Sequence, residues 1–138
     1  MNNRFKFRVW DKLAERMIYP HNDNQQHFII DLNGRFHNLQ NGSGGDDYVI
    51  QQYTGLNDSN DDPIYEGDIL KNHYDVGNNI IGQVLYESDH GGYIFQWKRK
   101  GRGRGRAAHG QDYKNLNCDV AFESVIVGNI FEQSELLK

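Results

Sequence analysis

A single cysteine, Cys118, is all the thiol chemistry this chain has. It cannot close an intramolecular disulfide or build a thiolate metal cluster, which fits a reducing cytosol, and its side chain is expected as a small buried hydrophobe. No run approaches the ~20 apolar residues of a membrane-spanning helix. The opening residues, Met1 to Arg8, carry no apolar signal core. A cytoplasmic protein free of membrane is therefore expected. A long amphipathic helix is also missing, and glycine, at 15 of 138 residues, recurs throughout.

Signatures of catalysis and metal binding are missing too. The histidines His21, His27, His37, His73, His90 and His109 have no metal-ligand spacing. The acidic run Asp58–Asp62 lacks the closing bidentate acid of a calcium loop and reads as a solvated turn. There is no phosphate-cradling glycine loop, and Ser43 and Ser59 sit in plain loops rather than at a nucleophile elbow. Glu66 and Asp68 are the one carboxylate pair suited to acid–base work, yet no histidine stands at a recognisable spacing from them. No catalytic residue, metal or cofactor is expected, so the protein is read as a non-enzyme.

What is present is short, alternating and punctuated by turns. Phe5, Phe7 and Val9 alternate with Lys6, Arg8 and Trp10, a strand signal, and Arg16–Tyr19 can return as its partner. Asn33-Gly34 between Phe28–Leu32 and Arg35–Leu39 predicts a hairpin with a type I′ turn, because both residues tolerate positive φ. Asn41–Asp47 reads as a flexible connector. Tyr48–Tyr53, Ile69–Tyr74, Ile80–Glu87, Gly92–Arg99, Val120–Phe122 and Val125–Phe131 read as further strands. Ser134 is a plausible cap for a terminal helical turn. Gly55 ends one strand signal, and Glu66-Gly67-Asp68 opens the next. Gly67 supplies a backbone conformation that a Cβ would penalise, and Asp68 is placed to bond nearby amides.

The fold class that follows is all-β, or β-rich α+β, in one domain over residues 1–138. A small SH3-like barrel core is expected over residues 48–133, preceded by N-terminal β-hairpins within residues 1–40. Apolar residues make up 37% of the chain, and mean hydropathy is −0.82. The core is therefore modest, with long wet loops or apolar surface completed by another subunit.

Three segments in order resemble the YopX family of phage and prophage proteins. The first is Lys6–Asp11 with Arg16–Tyr19. The second is Gln52–Leu56, an acidic turn, then Ile64–Leu70. The third is Glu123–Glu132 leading to Glu135–Leu137. They bracket almost the whole chain. The resemblance implies a small accessory product of a phage or prophage, acting in the cytoplasm of a bacterial host cell, and brings no catalytic residues to carry over.

Charge is the remaining asymmetry, and it lies outside those segments. Lys98, Arg99, Lys100, Arg102, Arg104 and Arg106 place six of the 15 cations within nine residues that contain no acid. The rest of the chain holds nine cations against all 19 acids, a balance of −10. Cations spaced by glycine can follow a phosphate backbone and release its counterions, the main source of non-specific nucleic-acid affinity. Tyr93, Phe95 and Trp97 share one strand face just upstream. That face is expected in the core, and if turned outward it would offer stacking surfaces. The competing reading is an interaction module forming homo-oligomers, its basic segment docked on acidic surface such as Asp46-Asp47 or Asp58–Asp62 of its own chain, a neighbouring subunit or another partner.

Overall fold

The computed structural model describes residues 5–19, 27–75, 78–99 and 110–138. The chain is all-β, with 54% of the described residues in strands and one sheet curled into a half-barrel. It divides into two compact units, Met1–Tyr53 and Thr54–Lys138.

In the first unit β1 (Phe7–Asp11) lies between β2 (Arg16–Ile18) and the leading part of β5 (Tyr48–Asn57), both antiparallel to it. Val9 faces Ile18 on one side and Ile50 on the other. β1 departs from simple alternation, being buried on both faces from Arg8 to Asp11. Arg8 is only 3% exposed, and its Nε donates to Gln51 Oε1 at 2.8 Å. Burying a guanidinium demands such a partner.

A separate hairpin joins β3 (Phe28–Ile30) to β4 (Phe36–Asn38). Ile29 faces His37, one residue off the register that a two-residue Asn33-Gly34 turn requires. The Asp31 carboxylate is the cause: Oδ1 accepts the Asn33 and Arg35 amides at 2.8 and 3.0 Å. Gly34 N–H donates to Asp31 O at 2.9 Å, and only Gly34 of the Asn-Gly pair has positive φ, at 77°. The connection is thus a type I turn closed by a left-handed glycine, not type I′. Phe36 stacks 5.5 Å from Phe28 and lies 4.5 Å from Tyr48, forming the apolar side of the hairpin. The Asn41–Asp47 connector is tied back: Asn38 N–H donates to Ser43 O at 2.8 Å, and Gly44 bridges His37. A Cβ on Gly44 would lie 2.5 Å from the Phe36 carbonyl oxygen.

β5 continues into the second unit, where β6 (Pro63–Tyr65) follows it in the sheet order β2-β1-β5-β6. Then come β7 (Asp68–Asp75), β8 (Asn78–Glu87), β9 (Gly92–Lys98), β10 (Gln111–Asn115), the short helix α1 (Cys118–Phe122) and β11 (Ser124–Asn129). The last five strands form an antiparallel sheet ordered β10-β9-β8-β7-β11. The chain meanders outward to β10 and returns through α1 to add β11 beside β7.

Register places Leu70, Val84 and Phe95 on one face, where Ile64, Val120 and Ala121 close over them. Each of these side chains except the smaller Ala121 contributes roughly 1.5–3 kcal/mol by leaving water. Tyr93 and Trp97 pack on the same cluster, so the aromatic trio faces the core. Gly82 lies where a Cβ would collide with the Gln96 carbonyl and the Phe95 ring. Residues 120–122, expected as strand, are helical instead. Asn117 caps them, its Oδ1 accepting Val120 N–H at 3.0 Å, and the helix turns Val120 and Ala121 inward together. Cys118 is exposed, unlike the buried hydrophobe expected, because it occupies the outward first turn of this helix. Ser134 begins a 3-10 turn over Ser134–Leu137 without acting as its cap.

Candidate nucleic-acid interface

The six cations start at the end of β9. Lys98 is the last residue of that strand and is exposed, paired across the ladder with Gln111. Arg99 closes the base of the hairpin: its N–H donates to Gly110 O at 2.8 Å. Its guanidinium grips Asp112, with Nη2 2.6 Å from Oδ1 and Nε 3.1 and 3.2 Å from the two carboxylate oxygens. This pairing holds the Asp112 carboxyl below its usual range and raises Arg99 above its own, in both cases chiefly through the hydrogen bond. Arg99 therefore spends its charge inside the chain, on an acid that the sequence reading did not single out. Lys100, Arg102, Arg104 and Arg106 lie outside the described residues.

The aromatic surface near these cations differs from the one the sequence pointed to. Phe95 is buried, and Tyr93 and Trp97 are half-buried against the core. Burial, then Glu66 and Tyr86, raise the Tyr93 pKa. The outward aromatic is Tyr113 on β10, 50% exposed and opposite Gln96. It shares its strand face with Lys98, and its hydroxyl lies 3.0 Å from His90 Nε2. Gln111-Asp112-Tyr113-Lys114-Asn115 carries a single aromatic among polar residues, so no apolar alternation marked it as a strand.

The turn residues form a separate, internal arrangement. Glu66 and Gly67 alone link β6 to β7, with Gly67 at φ 84°. Gly67 N–H donates to Val84 O at 2.7 Å and Gly67 O accepts Ile130 N–H at 2.9 Å. Asp68 is buried and reaches back, Oδ2 accepting Tyr65 N–H at 2.8 Å. Gly55 takes φ 88° within β5, beside Thr54, whose hydroxyl donates to Ile64 O at 2.8 Å.

Two buried polar groups escaped the sequence reading. Asp58 is not a solvated turn residue. It is 5% exposed, its Oδ1 accepts the Asn60 and Asp62 amides, and its Oδ2 accepts Ile126 N–H at 2.9 Å. Asn72 Nδ2 donates to Ser124 Oγ at 2.8 Å, and that hydroxyl donates to Val120 O at 2.6 Å. Ser124 is fully buried with its proton committed to a carbonyl, which ties α1 to β7 and β11. Among the described residues no group of three or more His, Cys, Asp or Glu side chains could hold a metal ion. Among them also, no helix is long and apolar enough to cross a membrane.

Comparison with known proteins agrees with this architecture. The family described as "YopX protein" matches residues 6–138. A crystal structure of protein EF1440 from Enterococcus faecalis is similar at a TM-score of 0.54 and 23% identity, covering 96% of this chain and 97% of that one, and so shares the fold. No curated protein matches the chain.

Proposed function

The chain belongs to the YopX family, and from that premise we propose that it is a non-enzymatic accessory protein of a phage or prophage, acting in the host cytoplasm. Its activity is weak, salt-sensitive and sequence-independent contact with nucleic acid through Lys98, Arg99, Lys100, Arg102, Arg104 and Arg106. The observation that carries this is the concentration of six cations in nine residues on a chain otherwise at −10. Exposed Lys98 and Tyr113 on one face of the β9–β10 hairpin support it with a charge and a stacking surface beside the segment. The Arg99–Asp112 pair favours a second reading, in which the segment docks on acidic protein surface of a neighbouring subunit or partner.

Fluorescence anisotropy of labelled single- and double-stranded DNA and RNA across a salt series tests this directly. Affinity should fall with salt, with a duplex slope of about −0.9 per phosphate neutralised. Changing Arg102, Arg104 and Arg106 to Gln should remove most binding, whereas Arg99→Gln alone should remove less, because Arg99 is already paired. No binding by the unaltered protein at low salt overturns the reading.

A further inference from the structure

One face of the five-stranded sheet carries Leu70, Val84 and Phe95 into the core. Register writes the other face in rows across the strands. Gln83 of β8 stands opposite Gln96 of β9, and Gln96 opposite Tyr113 of β10. In the next row toward the basic segment, Lys71 of β7 stands opposite Ile81 of β8, and Lys98 of β9 opposite Gln111 of β10. Lys98, Gln111 and Tyr113 are exposed, and Lys71, Gln83 and Gln96 are half-buried. All the charge at these positions is positive, although the chain outside Lys98–Arg106 stands at −10. The lysines and glutamines have no side-chain partner among the described residues, whereas Asp112, on the opposite face, is held by Arg99. Tyr113 alone is tethered, its hydroxyl 3.0 Å from His90 Nε2 and the two rings 4.9 Å apart at 79°. That contact orders an exposed ring before anything binds, which lowers the entropy lost in using it.

We infer that this face is a platform for single-stranded nucleic acid, on which Tyr113 stacks a base, the glutamines meet base edges, and Lys71 and Lys98 lie along phosphates. The inference rests on the polyanion reading of the basic segment and adds to it a strand preference and a second surface. Width argues against a duplex. Four strands ~4.8 Å apart make β7 to β10 roughly 14 Å across, too wide for the ~12 Å major groove that admits a two-stranded ribbon. A duplex also keeps its base faces stacked on one another. An unpaired strand offers each face to a ring, and base–aromatic stacking tolerates any sequence. Glutamine carries both donors and an acceptor, so unpaired base edges of either kind are met. The platform ends at Lys98 and Gln111, where the chain enters and leaves the basic segment. The two cationic surfaces are therefore continuous along the chain.

Fluorescence anisotropy tests the platform with labelled oligothymidylate and oligouridylate of about 20 nucleotides, longer than the ~4–16 that one small fold covers. A duplex of equal length runs beside them, and the two single strands separate DNA from RNA. Charge alone favours the duplex, whose salt slope per phosphate is about −0.9 against about −0.7 for single strands. The platform instead predicts single strands bound more tightly than duplex, by about fivefold or more. Tyr113→Ala should cut that preference by about fivefold or more, and Tyr113→Phe should keep it, since the ring and not the hydroxyl stacks. Lys71→Gln, outside the basic segment, should reduce the single-strand salt slope by about 0.7. Circular dichroism checks that each variant folds, and Lys71→Gln decides the matter if Tyr113→Ala does not. Single strands bound no tighter than duplex, or a preference that survives Tyr113→Ala, overturns the platform and leaves the contact through the basic segment standing. No binding of any probe at low salt overturns both. A preference that falls with Tyr113→Ala yet persists when Arg102, Arg104 and Arg106 become Gln supports the platform and removes the segment.

Discussion

Asp58→Ala removes one carboxylate that organises three backbone amides. Two of them, on Asn60 and Asp62, belong to exposed residues, and water can replace the lost acceptor there. The third belongs to Ile126, half-buried on β11. A hydrogen bond to a charged group contributes about 1.5–3 kcal/mol. The neighbouring Ser59–Ser124 main-chain bond depends on the same turn and adds about 0.5–1.5 kcal/mol. The expected loss is therefore about 2–4 kcal/mol. In a domain of 60–100 residues each kcal/mol moves the melting midpoint by ~4–8 °C, so thermal or urea denaturation followed by circular dichroism reads it readily. Asp58→Asn should fall between, because one oxygen remains to accept while the new amide faces a donor. Asp62→Ala, at an exposed position of the same turn, should stay within about 0.5 kcal/mol of the parent. An Asp58→Ala protein as stable as the parent would show that solvent, not the carboxylate, holds the turn.

Two further expectations are simpler to check. Gly82→Ala should destabilise by about 1–3 kcal/mol or more through overpacking against the Gln96 carbonyl and Phe95. Gly92→Ala, where a Cβ meets nothing within 4 Å, should have little effect in the same denaturation assay. By NMR titration, Asp31 and Asp112 should both ionise below the ordinary aspartate value, held down first by the side-chain hydrogen bonds to His37 and Arg99 respectively. A depressed folded pKa means that any stabilisation is present above the unfolded value and is lost as pH falls through the folded one. Arg99→Gln should move the Asp112 midpoint upward and leave that of Asp31 in place.

The sequence carried strand identity further than it carried partners. Alternation at Tyr93, Phe95 and Trp97 located a core face correctly, because the evidence lies within one strand. The Asn33-Gly34 hairpin was legible as a hairpin, yet its register depended on the Asp31 side chain outcompeting a two-residue turn. A run as short as Val120–Phe122 suits strand or helix equally, and Asn117 decided it as a cap. Asp58 was illegible for a stronger reason. Nothing local separates it from Asp61 or Asp62, and the amide it serves lies 68 residues away in sequence.

That long reach also separates the stretches that carry the resemblance from the basic segment. Ile64–Leu70 and Glu123–Glu132, two of the stretches that carry the YopX resemblance, converge on one side of the second unit. There Asp68 pairs with Asn129 and Leu70 with Ile126 across β7 and β11, Gly67 O accepts Ile130 N–H, and Asp58 reaches Ile126. The basic segment begins between β9 and β10, at the far edge of the same sheet. The strands between the two edges are held by Val84, Phe95 and Leu70, none of which depends on a cation. Neutralising Arg102, Arg104 and Arg106 should therefore leave the melting midpoint unchanged while nucleic-acid affinity falls. Damage to the Asp58 turn should lower the midpoint and leave affinity per folded molecule intact. If the arginine variant instead melts well below the parent, the segment belongs to the fold, and its charge has a structural task that the two-edge division does not contain.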